Sequence, residues 1–504
     1  MPRDPNGNNA GTDANDTLWG QALVLGDGSY DNSSDTDSAN ARDALRGYAG
    51  NDLIFGDLYY DGQDATEGDQ VYGGDGNDTI FGDCGWDEPG WQTSENGSSD
   101  QLWGDAGNDL IYGQAGNDNL YGGTGNDTLI GGIGSDNLRG DAGDDLIWTD
   151  LQGQPGTVAI RNAAWGGDGN DRIYGSLGVD ELYGDAGADM LNGQGGDDDI
   201  EGGNGADVLY GGDGNDRLEG GGYYATAADL GDRLYGEAGN DTLMGDGGND
   251  SLWGGTGNDQ LEGNEGADLY DGGLGADSYY CGSGNDIYVI DNPGDLLIWD
   301  YLDSGVDQVR SSLNWTLGNY QENLALTGTA IRGIGNAGAN NILGNVGNNV
   351  LAGMAGNDTL NGGNGADNLN GGAGNDLLVG GDGADTLVGG AGADRLYGGS
   401  GADRFVFNFA ADTTLAARDT ISDFNFAQGD RIDLRGVDAN SALAGDQAFG
   451  FIGTAAFSGH AGQLRAQSVA AGTLISGDVN GDGLADFAIL LDDPITLSAN
   501  AFLL

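Results

Sequence analysis

Residues 113–132 read GQAGNDNLYGGTGNDTLIGG, and variants of that phrase fill most of the chain. Aligned on its aspartate, the unit is Gly-Gly-x-Gly-x-Asp-x-Leu-x, as in Gly122, Gly123, Thr124, Gly125, Asn126, Asp127, Thr128, Leu129 and Ile130. Glycine permits positive φ and close backbone approach, and fillers such as Asn126 tolerate left-handed geometry. The pattern predicts a tight six-residue turn followed by a three-residue strand. Within that strand only the eighth position is regularly apolar, as at Leu120, Leu129, Leu138, Leu182 and Leu209, so its neighbours point to the opposite face. Two units then make one flat coil with a short strand in each of two parallel sheets. Coils stack at about 4.8 Å, which is an all-β parallel β-roll whose core is one inward leucine per strand.

Composition supports a repeat architecture over a multidomain globule. Of 504 residues 103 are glycine, and self-similarity overrides the prior from length. The formal net charge is −66, and the 16 cationic residues are all arginine. Nucleic acid and anionic membrane are thereby disfavoured as partners of the bare chain, and cations are favoured. Leucine, isoleucine, tyrosine and tryptophan recur in phase with glycine, which argues against an acidic disordered chain. Cys84 and Cys281 lie far apart in an array where each unit touches only its neighbours, so no disulfide is expected. No apolar run approaches the ~20 residues of a transmembrane helix. The opening MPRDPNGNNAGTDAND lacks a charged-then-apolar leader, so export is expected to use another address.

Stacked coils bring aspartates into line, where two charges ~5 Å apart at an effective dielectric of ~20 repel by roughly 3 kcal/mol. A hard dication between consecutive turns resolves this repulsion, taking carboxylate oxygens and the carbonyls freed by the glycine turn. Six to eight oxygens suit calcium, whereas magnesium dehydrates too reluctantly. The unit resembles the nonapeptide of the repeats-in-toxin (RTX, haemolysin-type calcium-binding) family over most of residues 43–403, and that resemblance implies the same roll and the same ions. The candidate ligands are Asp43, Asp52, Asp69, Asp78, Asp100, Asp109, Asp118, Asp127, Asp136 and Asp145, then Asp171, Asp180, Asp189, Asp198, Asp207 and Asp216. The series goes on through Asp232, Asp241, Asp250, Asp259, Asp268, Asp277 and Asp286, and a second array holds Asp358, Asp367, Asp376, Asp385, Asp394 and Asp403. Asn162, Asn340 and Asn349 occupy the same phase, and a neutral amide there should weaken or abolish a site.

Five regions follow from the rhythm. Residues 1–42 start the roll with an acidic loop, 43–286 form the first roll, 287–334 an intercalated solenoid module, 335–408 the second roll and 409–504 a β-rich cap. The stretch NDIYVIDNPGDLLIWDYLDSGVDQVRSSLNWTLGNYQENLALTG, residues 285–328, has β-branched and aromatic residues at strand spacing and resembles a module intercalated in long RTX proteins. From Ala410 the segments DTISDFNFAQGDRIDL, AFGFIG, FSGHAGQLR and SGDVNGDGLADFAILL resemble the C-terminal domain of serralysin proteases. That resemblance implies a cap carrying an address for the type I export machinery. The tail Ala499, Asn500, Ala501, Phe502, Leu503, Leu504 keeps the family's apolar end but lacks its usual acid. Asp478, Asn480, Asp482 and Asp486 have the spacing of the first part of an EF-hand loop, with Gly483 at the turn and Ile489 where glutamate would stand. A calcium loop and a metal-free polar hairpin both fit them.

Catalysis finds little support. The single histidine, His460, excludes an HExxH zinc helix, no G-x-S-x-G elbow is present, and a surface role for His460 is the simpler reading. The same repeats also follow the catalytic domain of mannuronan epimerases, but here the roll is expected to begin within the first fifty residues. Insertions before Asp43, Asp69, Asp100, Asn162 and Asp232 map to loops, and alternation of edges places the first four on one side. They carry Tyr30, Tyr59, Tyr60, Trp86 and Trp91. The outward ninth position carries Tyr112, Tyr121, Trp148, Trp165, Tyr174, Tyr183, Tyr210, Tyr235 and Trp253, as ladders that stabilise coils or meet polysaccharide or another roll. The expected protein is an extracellular, calcium-dependent β-roll. Its role is structural or adhesive at the cell surface or matrix, with self-assembly or polysaccharide as partner, and the alternative is a secreted effector or polysaccharide-acting enzyme using the N-terminal loops.

Overall fold

The computed structural model describes residues 9–10, 17–19, 44–56, 68–83, 97–150, 161–221, 230–299 and 305–504. Asp43, Cys84 and the loop aromatics Tyr30, Tyr59, Tyr60, Trp86 and Trp91 lie outside these residues. The chain falls into two compact units, Met1–Gly284 with Gly294–Leu302, and Asn285–Pro293 with Asp303–Leu504.

The first unit is a solenoid. Strands at alternate half-coils, such as Gln101–Ala106, Asn119–Thr124 and Asn137–Ala142, pair in parallel within a 14-stranded sheet. The intervening strands, such as Leu110–Ala115 and Thr128–Ile133, pair in a second parallel ladder. Leu120 and Leu129, one from each sheet, are fully buried, as are Leu138, Leu182 and Leu209. Many strands are six residues long rather than three, because the Gly-Gly step that was expected to be turn goes on pairing with its neighbours, as Gly123 does with Asp105 and Asp141. Toward the end of this unit the inward leucine becomes Tyr270 and then Tyr279, both buried, whose hydroxyls accept from the N–H groups of Gly263 and Gly272 at 3.0 and 3.1 Å.

The second unit contains parallel strands of the same kind and a different end. An 8-stranded sheet runs from Trp315–Thr316 to Phe502–Leu503, and a second ladder runs from Ile287–Ile290 to Thr420–Ile421. Phe487–Leu491 then adds in parallel to Thr420–Ile421 and turns the ladder into an antiparallel meander with Gly472–Asp478 and Gln463–Val469. Phe449, Leu464, Ile475, Phe487 and Ile489 form the buried core of this end. No helix among the described residues is long and apolar enough to cross a membrane.

Candidate metal centre

Each ladder aspartate among the described residues is buried, not displayed on a solvated edge; Asp109, Asp118 and Asp127 are 3%, 0% and 2% exposed. The backbone explains how the chain holds them there. Every non-glycine residue with positive φ among the described residues stands four positions before a ladder aspartate, including Tyr48, Asp105, Gln114, Asp141, Glu237 and Met354. Two positions before most ladder aspartates stands glycine, and at Gly107, with φ 141°, a Cβ would overlap the carbonyl of Gly76 in the preceding coil. Five positions before it glycine leaves a space. A Cβ on Gly113 would lie 2.6 Å from Asp118 Oδ2 and 2.6 Å from the Gly131 carbonyl oxygen of the next coil.

That space is the candidate site. Asp118 Oδ1 accepts the N–H of Asp100 at 2.8 Å, and Asp127 Oδ1 accepts that of Asp109 at 2.8 Å. The second oxygens have no hydrogen-bond donor at Asp78, Asp109, Asp118, Asp127, Asp136, Asp145, Asp171, Asp189, Asp198, Asp216, Asp241 and Asp259, or at Asp358, Asp367, Asp376, Asp385, Asp394 and Asp403. The donorless carboxylate oxygen thus faces a carbonyl oxygen across the position a Cβ would take, and a buried charge there is costly unless paired. The same slot recurs at Gly131, where a Cβ would meet Asp136 Oδ2 at 2.6 Å and Thr149 O at 2.5 Å, and at Gly236, where it would meet Asp241 Oδ2 at 2.5 Å and Gly254 O at 2.6 Å. No group of three or more histidine, cysteine or carboxylate side chains among the described residues converges on one point. A cation there would draw on backbone carbonyls as well as aspartate, which is hard-oxygen chemistry of the calcium type.

The electrostatics agree. Burial pushes Asp109 up to about 7, against the lowering effect of the Asp78 N–H, and the carboxylates of Asp127 and Asp78 push it further. Burial likewise drives Asp145 and Asp189 up to about 8, with ladder neighbours adding. Without a counter-ion the rows resist full ionisation at neutral pH.

Some candidates are already supplied with donors. Asp180 Oδ2 accepts from both the N–H and the hydroxyl of Ser176, and its Oδ1 accepts from Asn162 Nδ2 at 3.0 Å. Asn340 Oδ1 accepts from the Asn336 N–H at 2.8 Å while its Nδ2 donates to the carbonyls of Gln321 and Glu322. Asn349 repeats this with Asn345 and the carbonyl of Ala330. In the EF-like loop Asp478 accepts from Gly481 and Gly483, Asp486 accepts from Val479 and Asn480, and Asn480 and Asp482 each accept from a loop N–H. These oxygens are engaged in closing the hairpin. Exposed His460 places Nδ1 3.0 Å from Ser458 Oγ, and no carboxylate orients it.

Two surface readings can be placed. The rows are defined by the hydrogen bonds: Asp69 donates to Asp100 and Asp136 to Asn162, whereas Asp207 donates to Asp232 of the other row. Asp69, Asp100 and Asn162, which close three inserted loops, therefore share an edge. The outward rings stack on one another, Tyr72 on Trp103 at 4.5 Å and 3°, Tyr235 on Trp253 at 4.6 Å and 4°. Their faces are spent on neighbours along the roll, which stabilises adjacent coils and leaves mainly ring edges to solvent.

The model of the RTX calcium-binding nonapeptide repeat (4 copies) matches residues 39–58, 66–87, 96–129, 121–152, 165–200, 192–222, 228–261, 244–279 and 253–288. The model of the Peptidase M10 serralysin C terminal matches residues 340–499. No curated protein matches the chain. Among solved structures, a subunit of the mannuronan C5-epimerase of Azotobacter vinelandii, determined in solution, is 26% identical over 33% of this chain and 78% of its own, with a TM-score of 0.20.

Proposed function

We propose that this chain, an RTX-repeat protein ending in a serralysin-type C-terminal domain, is secreted and completes its roll by taking calcium between coils, to serve a structural or adhesive role outside the cell. The observation that carries the calcium reading is the donorless Asp118 Oδ2 placed beside Gly131 O at Gly113, an arrangement repeated along both rows. In each slot the aspartate is the charged ligand and a backbone carbonyl of the next coil, that of Gly131 beside Asp118 and of Thr149 beside Asp136, is lent to it. Bound calcium neutralises the row and ties consecutive coils together. The ladder aspartates from Asp43 to Asp286 and from Asp358 to Asp403 are the proposed ligands, with Asp180 and Asp286 excepted because Ser176 and Asn162 supply donors to the first and the Tyr288 hydroxyl donates to Oδ2 of the second.

Export through type I machinery, by way of the serralysin-type end, would deliver an unfolded acidic chain to millimolar calcium, and binding energy would become folding energy there. Small-angle scattering through a calcium titration tests both parts. A coil that collapses to a rod and then associates supports the structural role, and a chain equally compact in chelator overturns the calcium reading. A second reading, a ligand or substrate site on the inserted loops, draws support from the shared edge of Asp69, Asp100 and Asn162. Trp86→Ala with Trp91→Ala in a glycan-binding screen tests it, and binding that survives both changes counts against it.

A further inference from the structure

Residues 308–357 carry two arginines, Arg310 and Arg332, against one acid, Glu322, a net charge of +1 in a chain of −66. Here the slot oxygens of Asn340 and Asn349 receive donors from the protein itself, the N–H groups of Asn336 and Asn345. A Cβ on Gly335 would lie 2.5 Å from Asn340 Oδ1 and 2.5 Å from Gly353 O, the same geometry as in the aspartate slots. Yet Asn340 brings an amide that donates to Gln321 O and Glu322 O, each at 3.2 Å, and Asn336 adds a second amide donating to the Gln321 carbonyl at 2.7 Å and to that of Gly318. Asn345 and Asn349 do the same on the other edge, donating to Ala330 O at 2.7 and 3.3 Å. Neither Asn336 nor Asn345 adopts the positive φ found four positions before the ion-type aspartates, and each turns its N–H onto the next asparagine instead, at 2.8 Å.

We infer that residues 308–357 are a metal-independent nucleus, in which asparagine amides do the work that calcium does elsewhere, and that the second array is templated on it. The inference rests on the calcium reading of the flanking aspartates. The templating contact is direct: the N–H of Asn340 donates to Asp358 Oδ1 at 2.8 Å and that of Asn349 to Asp367 Oδ1 at 2.7 Å. The first carboxylate of each row is thus aimed by a coil that needs no ion, so the first calcium of the array meets a half-built site. Buried Leu324, Ile342 and Leu351 supply the segment with core.

Hydrogen exchange on the full chain, with calcium and with chelator, tests this. In chelator the amides of 323–326, 332–334 and 341–343 should exchange roughly tenfold or more slowly than those of 359–400, because local stability is set segment by segment. Equally fast exchange of both overturns the inference and leaves the calcium reading standing; equal protection of both in chelator overturns the two together. Asn340→Asp with Asn349→Asp should make protection of the segment depend on calcium. Protection in chelator that is unmoved by that double change overturns the role given to the amides.

Discussion

The backbone N–H of Asp109 donates to Oδ1 of Asp127, one coil further on, at 2.8 Å, and Asp127 donates in turn to Asp145 at 2.7 Å. Each carboxylate therefore spends one oxygen on its own orientation and keeps the other for the slot. Position and binding are separable within one side chain.

Asp127→Asn and Asp127→Ala should consequently differ. The amide can still accept the Asp109 N–H, so Asp127→Asn is expected to lose one or more calcium ions by calorimetry while the roll stands in saturating calcium. Asp127→Ala also strands a buried N–H and should cost about 1–3 kcal/mol more in urea unfolding. Equal stabilities for the two variants would show that the inter-coil bond contributes nothing of its own.

Gly113→Ala puts a methyl into the void that Asp118 Oδ2 and Gly131 O share, 2.6 Å from each. The expected result is loss of calcium at that slot and a destabilisation of about 1–3 kcal/mol from overpacking. Thr124→Ala, at an exposed position nearby, should stay within about 0.5 kcal/mol. Unchanged stoichiometry in the glycine variant would place the ion elsewhere.

Proton and cation should substitute for one another in the arrays. Burial raises the folded-state values above the ordinary 3.8, to about 6 at Asp78, about 7 at Asp109 and about 8 at Asp145. A group raised on folding binds more protons in the folded state, so its contribution is greatest at low pH and fades as pH climbs through the raised values. In chelator, the strand signal by circular dichroism should be larger at about pH 5 than at about pH 8. A metal-free chain that gains strand as pH rises would contradict the buried placement of these carboxylates.

The coil and its core were legible because a nine-residue period fixes both the bend and the one inward side chain, as at Leu120 and Leu129. The aspartate rows were legible as rows of cation ligands, but their depth was not: the repeat sets their spacing alone, and only the stacking of Gly107 against Gly76 shows how the turn closes over them. The donors at Asp180 were missed because Ser176 looks like any filler of a variable position. Its signal, a residue other than glycine four places before the aspartate, is ambiguous, since Asp105 and Gln114 stand there too and adopt positive φ. What separates them is a short hydroxyl or amide able to turn back onto the ligand oxygen.

Ser176→Gly makes that distinction measurable. In the protein as it stands the Ser176 N–H and hydroxyl both satisfy Asp180 Oδ2, and a Cβ on Gly175 would lie 2.6 Å from that oxygen and 2.7 Å from Gly193 O, so the slot has the standard shape. Glycine removes the hydroxyl and frees position 176 to take the positive φ of its equivalents, such as Gln194 at 70°. Asp180 should then behave like its neighbours, and the chain should bind one more calcium by calorimetry than the unchanged protein. If the count is unchanged, Asn162 alone, through its 3.0 Å bond to Asp180 Oδ1, is enough to close the site.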